Sequence, residues 1–125
     1  MKIIKKEIAI TINKKIKYQH KSLAGGRWQE FTFFEQMANV GSEVERAIKW
    51  KNKGNAGYSR MAFERALELL DLTINSEKSQ SRLKELTRVS ETLADYFAFG
   101  NSYNSTDKSW QNYFYSFNFA ARVSL

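Results

Sequence analysis

Residues 110–121 read WQNYFYSFNFAA, and six of these twelve residues are aromatic. At 100° per residue, one helical face collects a wide apolar set, and the opposite face carries a narrower apolar line. A helix that is apolar on two sides has to bury both of them. We therefore expect the wide face to pack into a core and the narrow line to need a further partner surface. The wide face holds Trp110, Tyr113, Phe114, Phe117, Ala120 and Ala121, and the narrow line holds Tyr115, Phe119 and Val123.

Signals at helix ends divide the chain from residue 27 onward into four predicted helices. The first opens at Thr32, which can form a capping box with Glu35. The third is expected to stop at Gly100, in the left-handed conformation that glycine adopts cheaply. The predicted helices cover about 32–51, 56–74 and 81–99, and a fourth begins after Ser105 or Thr106. Lys53-Gly54-Asn55 is the expected stop and turn after the first helix.

Four helices of this length with short connections predict an all-α fold, an antiparallel up-down-up-down four-helix bundle. Gly41 in the first helix is small enough to let a neighbouring helix come close, although it costs about 1 kcal/mol against alanine. Ile8, Ile10 and Ile12 recur with a period of two, which predicts a short N-terminal β-hairpin or extended segment. We divide the chain into a basic arm, residues 1–26, and a bundle, residues 27–125.

The charge of the chain is concentrated in that arm. Residues 1–26 contain seven lysines and one glutamate, and so carry six of the seven net positive charges of the 125-residue chain. The absence of cysteine excludes disulfides and thiol chemistry. The N terminus lacks the apolar core of a signal peptide, and no run approaches the roughly 18 apolar residues of a membrane span. These features predict a cytoplasmic protein with no membrane partner.

No catalytic, cofactor-binding or metal-binding constellation is evident in the sequence. His20 is the only histidine, whereas a di-iron bundle site needs Glu-x-x-His pairs. Two acidic pairs spaced one helical turn apart could in principle perform acid/base chemistry. Solvated outer helix surface is the simpler interpretation for both pairs, Glu64 with Glu68 and Glu91 with Asp95. We therefore expect a protein that is not an enzyme and has no cofactor and no metal.

Basic residues cluster where the first helix ends and the second begins. No acidic residue lies between Glu45 and Glu64, and Trp50 and Tyr58 are interleaved with the basic residues. Positive charge combined with aromatic rings can bind phosphates and stack on bases. Lysine and arginine near a helix C terminus can also simply complement the helix dipole. The candidate nucleic-acid-binding residues are Arg46, Lys49, Lys51, Lys53 and Arg60.

The second helix repeats the two-sided apolar pattern of the fourth. Met61, Arg65, Glu68 and Leu72 recur at spacings of four, three and four, on the face expected to be wet. Large apolar patches are rarely left exposed on monomeric proteins. The candidate oligomer interface is Met61, Leu72, Tyr115, Phe119 and Val123.

Four segments of the chain carry a resemblance to a known group of proteins. They are GRWQEFTFFEQMANVGSEVERAIKWKNKGN, FERALELLDLTI, RLKELTRVSETLADYFAFGN and WQNYFYSFNFAARV. In their aromatic and paired charged residues they resemble small bacterial four-helix-bundle proteins of unknown function, distantly like the proteins encoded in intervening sequences of 23S ribosomal RNA genes. The resemblance implies a bundle that assembles into a ring such as a pentamer, and nucleic-acid binding through a basic surface in some relatives. It implies no catalytic residues.

Two hypotheses about function follow. The first is a non-enzymatic, homo-oligomeric four-helix-bundle protein that acts as an interaction or scaffold module, with unpaired apolar faces covered by neighbouring copies. The alternative is a protein that binds RNA or DNA through the basic residues at the first helix connection and the lysines of the N-terminal arm.

Overall fold

The structure is a computed structural model that describes residues 26–123. Within that range every regular element is helical, which confirms the all-α prediction for this part of the chain. The predicted hairpin lies outside the described residues. No helix in the described range is both long and apolar enough to cross a bilayer. The elements are a 3₁₀ helix, Arg27–Glu30, followed by α1, Phe33–Asn52; α2, Ala56–Ser76; α3, Gln80–Ala98; and α4, Asp107–Val123.

The first two helices begin where the sequence predicts. Thr32 Oγ1 accepts the Glu35 amide at 3.1 Å, and a Glu35 carboxylate oxygen accepts the Thr32 amide at 2.8 Å. This reciprocal pair satisfies two amides that the first helical turn leaves free. Between α1 and α2, Gly54 adopts φ 80°, and Asn55 Oδ1 accepts the Tyr58 amide at 2.9 Å. The predicted capping box and turn are therefore confirmed.

The end of α3 differs from the prediction. The left-handed conformation belongs to Asn101, at φ 52°, rather than to Gly100. The reason lies in Asp95, whose carbonyl oxygen accepts the Asn101 amide at 3.1 Å. The Asp95 carboxylate accepts the amides of Ser102 and Tyr103, each at 3.0 Å. Asp95 is consequently buried as the anchor of the following loop, and the prediction that it lies on a solvated outer surface is wrong.

Helix α1 packs against both α2 and α4. The contact with α4 is close at Gly41, where a Cβ atom would lie 2.8 Å from the Cβ of Phe114. Since real Cβ contacts essentially never fall below 3.0 Å, glycine is what allows α4 to approach here. The core between the helices includes Met37, Val40, Val44, Phe63, Leu67, Leu70, Leu86, Leu93, Trp110 and Phe114.

Side-chain contacts at the two ends of the helices fit the predicted antiparallel bundle. At one end, Lys51 near the end of α1 meets Asp107 at the start of α4. At the other end, the rings of Phe33 and Phe117 lie edge to face with centroids 6.0 Å apart. Helices α1 and α4 therefore run in opposite directions. A hydrogen bond of 2.5 Å from the Tyr113 hydroxyl to Glu85 joins α4 to α3.

Candidate functional site

The outer face of α4 is apolar and uncovered. Tyr115 is 63% exposed, Phe119 is 54% exposed and Val123 is 65% exposed. The opposite face of the same helix buries Trp110 and Phe114 against the core. The structure thus places the wide apolar face inward and the narrow apolar line outward, as the sequence predicts. We call Tyr115, Phe119 and Val123 the α4 stripe.

A groove runs between α1 and α4 beside this stripe. Its cavity is about 570 Å³, and Lys49, Gln111, Trp110 and Tyr115 are among its lining residues. Gln111 donates to Glu45 across the groove at 3.2 Å. Trp110 is buried, and its indole N–H has no hydrogen-bond acceptor among the described residues. The groove therefore combines polar groups with aromatic walls, and Tyr115 belongs both to its lining and to the α4 stripe.

On α2, the expected outer line is only partly exposed. Met61 is 48% exposed, but Leu72 is 6% exposed and Glu68 is buried. The prediction that Leu72 and Glu68 lie on the wet face is therefore wrong. The physical reason is that the chain preceding α1 packs near the C-terminal end of α2, where the Trp28 indole N–H donates to Thr73 Oγ1 at 2.9 Å. Leu72 belongs to the same buried apolar cluster as Trp28.

Three of the five predicted nucleic-acid-binding residues form ion pairs within the chain. The carboxylates of Glu43, Asp107 and Glu64 partly compensate these charges, so the three residues attract phosphate less strongly than free cations would. The pairs are Arg46 with Glu43, Lys51 with Asp107 at 2.6 Å, and Arg60 with Glu64 at 3.2 Å.

The other two predicted basic residues, Lys49 and Lys53, form no ion pair within residues 26–123. Lys53 Nζ lies 5.4 Å from the centroid of the Trp50 ring, a distance typical of a cation–π contact. Trp50 in turn meets Tyr58 edge to face, with ring centroids 4.9 Å apart. The structure therefore brings the interleaved aromatic residues together at the α1–α2 turn with Lys53, a lysine that has no ion pair among the described residues.

Lys51 also belongs to a polar network that sequence reasoning missed. Its ammonium donates to the Tyr96 hydroxyl at 2.7 Å and to Asp107, which also accepts hydrogen bonds from Tyr96 and from Asn52. Burial by itself would lower the pKa of Lys51, but the hydrogen bonds to Asp107 and Tyr96 raise it above 10.5. Burial would raise the pKa of Asp107, but its hydrogen bonds from Lys51, Tyr96 and Asn52 lower it below 3.8.

Glu43 is a second polar centre that the sequence did not reveal. It is buried on α1 and accepts hydrogen bonds from Arg46 and, at 2.5 Å, from Arg65 on α2. Its partner Arg65 is 22 residues away, so no local pattern signals the contact. A buried carboxylate needs charged partners, because ionised groups leave water only when they are paired. The bond from Arg65 to Glu43 therefore joins α2 to α1.

The described residues contain no group of three or more histidine, aspartate or glutamate side chains positioned to hold a metal ion. In comparisons with known proteins, no family model, no curated protein and no solved structure matches the chain. The resemblance to proteins of 23S ribosomal RNA intervening sequences therefore stays a prediction. The surfaces of the described residues that bear on function are the α4 stripe and the basic α1–α2 turn.

Proposed function

We propose that this protein is a non-enzymatic interaction or scaffold module that works as a homo-oligomer, with copies in contact through the α4 stripe. The observation that carries the proposal is the exposure of Tyr115, Phe119 and Val123 along one helical face, each by more than half. From the first to the last of these residues the face spans about 12 Å at 1.5 Å per residue. Monomeric proteins seldom leave such an apolar face bare.

A ring of more than two copies requires that the surface that meets the α4 stripe is a different one. Tyr58 and Met61 form a second exposed apolar surface on α2, at 53% and 48% exposure. This second surface lies on α2, whereas the α4 stripe lies on α4, and each of these two helices packs on α1. Contact between unlike surfaces is heterologous, and when its rotation closes, repetition from copy to copy gives a ring rather than an open filament. This arrangement agrees with the ring, such as a pentamer, that the resemblance implies.

Size-exclusion chromatography with light scattering tests the proposal through two variants. Phe119→Glu places a charge in the α4 stripe and is expected to dissociate the oligomer, because burying an unpaired carboxylate is costly. Ser81→Glu is the matched control, since it adds the same charge at an exposed position of α3 and should leave the mass unchanged. Far-ultraviolet circular dichroism should show native helicity in both variants.

Two results would contradict the proposal. One is a Phe119→Glu variant that keeps the mass of the parent protein. The other is loss of helicity in that variant, which would mean that Phe119 supports the fold of a single subunit rather than the contact between subunits.

Nucleic-acid binding is the second candidate function, and the α1–α2 turn supports it. There Lys53, Trp50 and Tyr58 lie together, with Lys49 one helical turn before Lys53. Free lysines neutralise backbone phosphates, and exposed rings give bases a surface to stack on. Both features tolerate any base sequence, so the expected binding is to single-stranded RNA or DNA without sequence preference.

A gel-shift series tests this candidate with a double variant and a matched control. Replacing Lys49 and Lys53 by glutamine should weaken binding and reduce the salt dependence by about two phosphate contacts. The control makes the same replacement by glutamine at Lys78 and Lys84, two exposed lysines at and after the α2–α3 turn. It should leave binding unchanged. Absence of any shift at about 50 mM salt, where electrostatic binding is strong, would remove the candidate.

A further inference from the structure

A cavity of about 320 Å³ opens where the end of α1, the start of α2 and the end of α3 meet. This volume is near the lower end of the roughly 300–1,000 Å³ typical of small-molecule sites. Gly54 and Ala56 lie on its wall, so little side-chain bulk restricts that side. The α4 stripe does not contribute to the cavity. Its lining consists of Lys51, Gly54, Ala56, Ser59, Arg60, Phe63, Tyr96 and Phe97.

Aromatic rings supply the apolar part of this lining. Phe63 and Phe97 lie with ring centroids 5.3 Å apart and planes inclined by 34°. Phe63 is buried, whereas Phe97 and Tyr96 are partly exposed. Partly exposed rings in a concave site offer a flat aromatic ligand a surface for stacking. The cavity therefore suits a planar ring better than a flexible aliphatic chain.

Two cations supply the polar part. Lys51 has three N–H donors, and among residues 26–123 it uses two of them, on Tyr96 and Asp107. Arg60 has five donors and uses one within the described residues, on Glu64. Among the described residues, no acidic side chain lines the cavity. Lys51 and Arg60 therefore keep further N–H donors for an anionic group, while Asp107 and Glu64, which pair with them from outside the lining, compensate part of their charge.

We propose that this cavity binds a nucleoside monophosphate, with the base against Phe97 and Tyr96 and the phosphate between Lys51 and Arg60. The same chemistry is presented by a free nucleotide and by the 5′-terminal nucleotide of a strand. The site requires neither assembly through the α4 stripe nor the lysines 49 and 53 of the second candidate function. Nucleotide binding in this cavity is thus a separate activity from assembly and from the nucleic-acid binding proposed at the α1–α2 turn.

Calorimetric titration of the full chain with AMP tests the site. We expect saturable binding with a dissociation constant below about 1 mM, and binding of adenosine at least about tenfold weaker because it lacks the phosphate. Single-stranded oligonucleotides with a 5′-phosphate or a 5′-hydroxyl distinguish the two sources. A preference for the 5′-phosphate identifies the terminal nucleotide of a strand as a ligand, whereas binding of AMP alone identifies the free nucleotide.

Two arginine variants locate the binding. Arg60→Gln removes one cation at the cavity and should weaken AMP binding about tenfold or more, since hydrogen bonds to charged groups are strong. Arg88→Gln makes the same charge change at an exposed position of α3, away from the cavity, and should bind AMP as the parent protein does. Circular dichroism checks that both variants remain folded.

Three results would overturn the inference. They are the absence of saturable binding by AMP and by the 5′-phosphorylated strand, equal affinity for adenosine and AMP, and an unchanged affinity in Arg60→Gln. The mass of the protein, measured on the same sample, distinguishes failure of the nucleotide site from failure of the assembly proposal. A monomer that binds AMP would contradict assembly alone, and an oligomer that does not would contradict this site alone.

Discussion

The approach of α4 to α1 at Gly41 can be tested by adding a single methyl group. In Gly41→Ala the new Cβ would lie 2.8 Å from Phe114 Cβ and 3.0 Å from its Cγ. These atoms are close to the α4 backbone, so a rotamer change cannot relieve the overlap and the helix itself has to shift. Overpacking of this kind costs about 1–3 kcal/mol.

Helix propensity acts in the opposite direction. Replacing glycine by alanine within a helix gains about 1 kcal/mol, so we expect Gly41→Ala to lose about 1 kcal/mol net, and up to about 2 kcal/mol. Gly57→Ala is the matched control, because its Cβ would meet only Asn55 Oδ1, at an ordinary 3.7 Å. Since Gly57 lies in the first turn of α2, we expect that variant to be more stable than the parent by up to about 1 kcal/mol.

Urea unfolding followed by circular dichroism measures both changes. The protein concentration has to be the same for all variants, because association contributes to apparent stability. We expect the midpoint of Gly41→Ala to fall and that of Gly57→Ala to rise, with unchanged slopes. A Gly41→Ala variant that is stabilised as much as Gly57→Ala would refute the reasoning, because it would mean that α4 is not held against α1 at this position.

Three further perturbations probe the polar contacts. Glu43→Ala should lower the unfolding free energy by about 1–3 kcal/mol, because a buried bridge between α1 and α2 is lost, and a urea midpoint equal to that of the parent would contradict this. Thr73→Val should cost about 1–3 kcal/mol, since it leaves the Trp28 indole N–H buried without its acceptor, whereas Thr73→Ser keeps the acceptor and should cost less. Asp107→Asn should destabilise the protein at pH 7 but less so near pH 3. The folded pKa of Asp107 lies below 3.8, so its contribution is present above 3.8 and is lost as pH falls through the folded value. A difference in urea midpoint between parent and variant that does not shrink at low pH would contradict this assignment.

The start of α1 and the turn between α1 and α2 were predictable because their determinants are local. The capping box of Thr32 and Glu35 and the Gly54 turn depend on residues within a few positions of each other, which is the range over which sequence patterns operate. Gly41 as the site of close helix contact was predictable from its size. The two faces of α4 followed from helical periodicity, and both Tyr115 and Phe119 are exposed as expected.

What the sequence did not reveal depends on contacts between distant segments. Helical periodicity places Leu72 and Glu68 on the outer face of α2. It does not show that the chain before α1 packs near the C-terminal end of that helix. The glycine preference for left-handed conformations pointed to Gly100, whereas the loop that Asp95 anchors uses Asn101. Asparagine tolerates that conformation because its short side chain can form local hydrogen bonds.

In the candidate sites, too, local features were predictable and contacts between distant segments were not. The clustering of basic residues at the α1–α2 turn was visible in the sequence, but their pairing was not. Lys51 meets Asp107 across 56 positions of sequence, so the compensation of its charge needs the fold. The cavity between Arg60, Lys51 and Phe97 likewise exists only because three helix ends meet.

Sedimentation velocity of the full chain over a range of micromolar concentrations tests assembly through the α4 stripe most directly. We expect one closed species whose mass is a whole multiple of the chain mass and does not change with concentration. A single species with the mass of one chain throughout that range would contradict the account, since Tyr115, Phe119 and Val123 would then remain bare in solution.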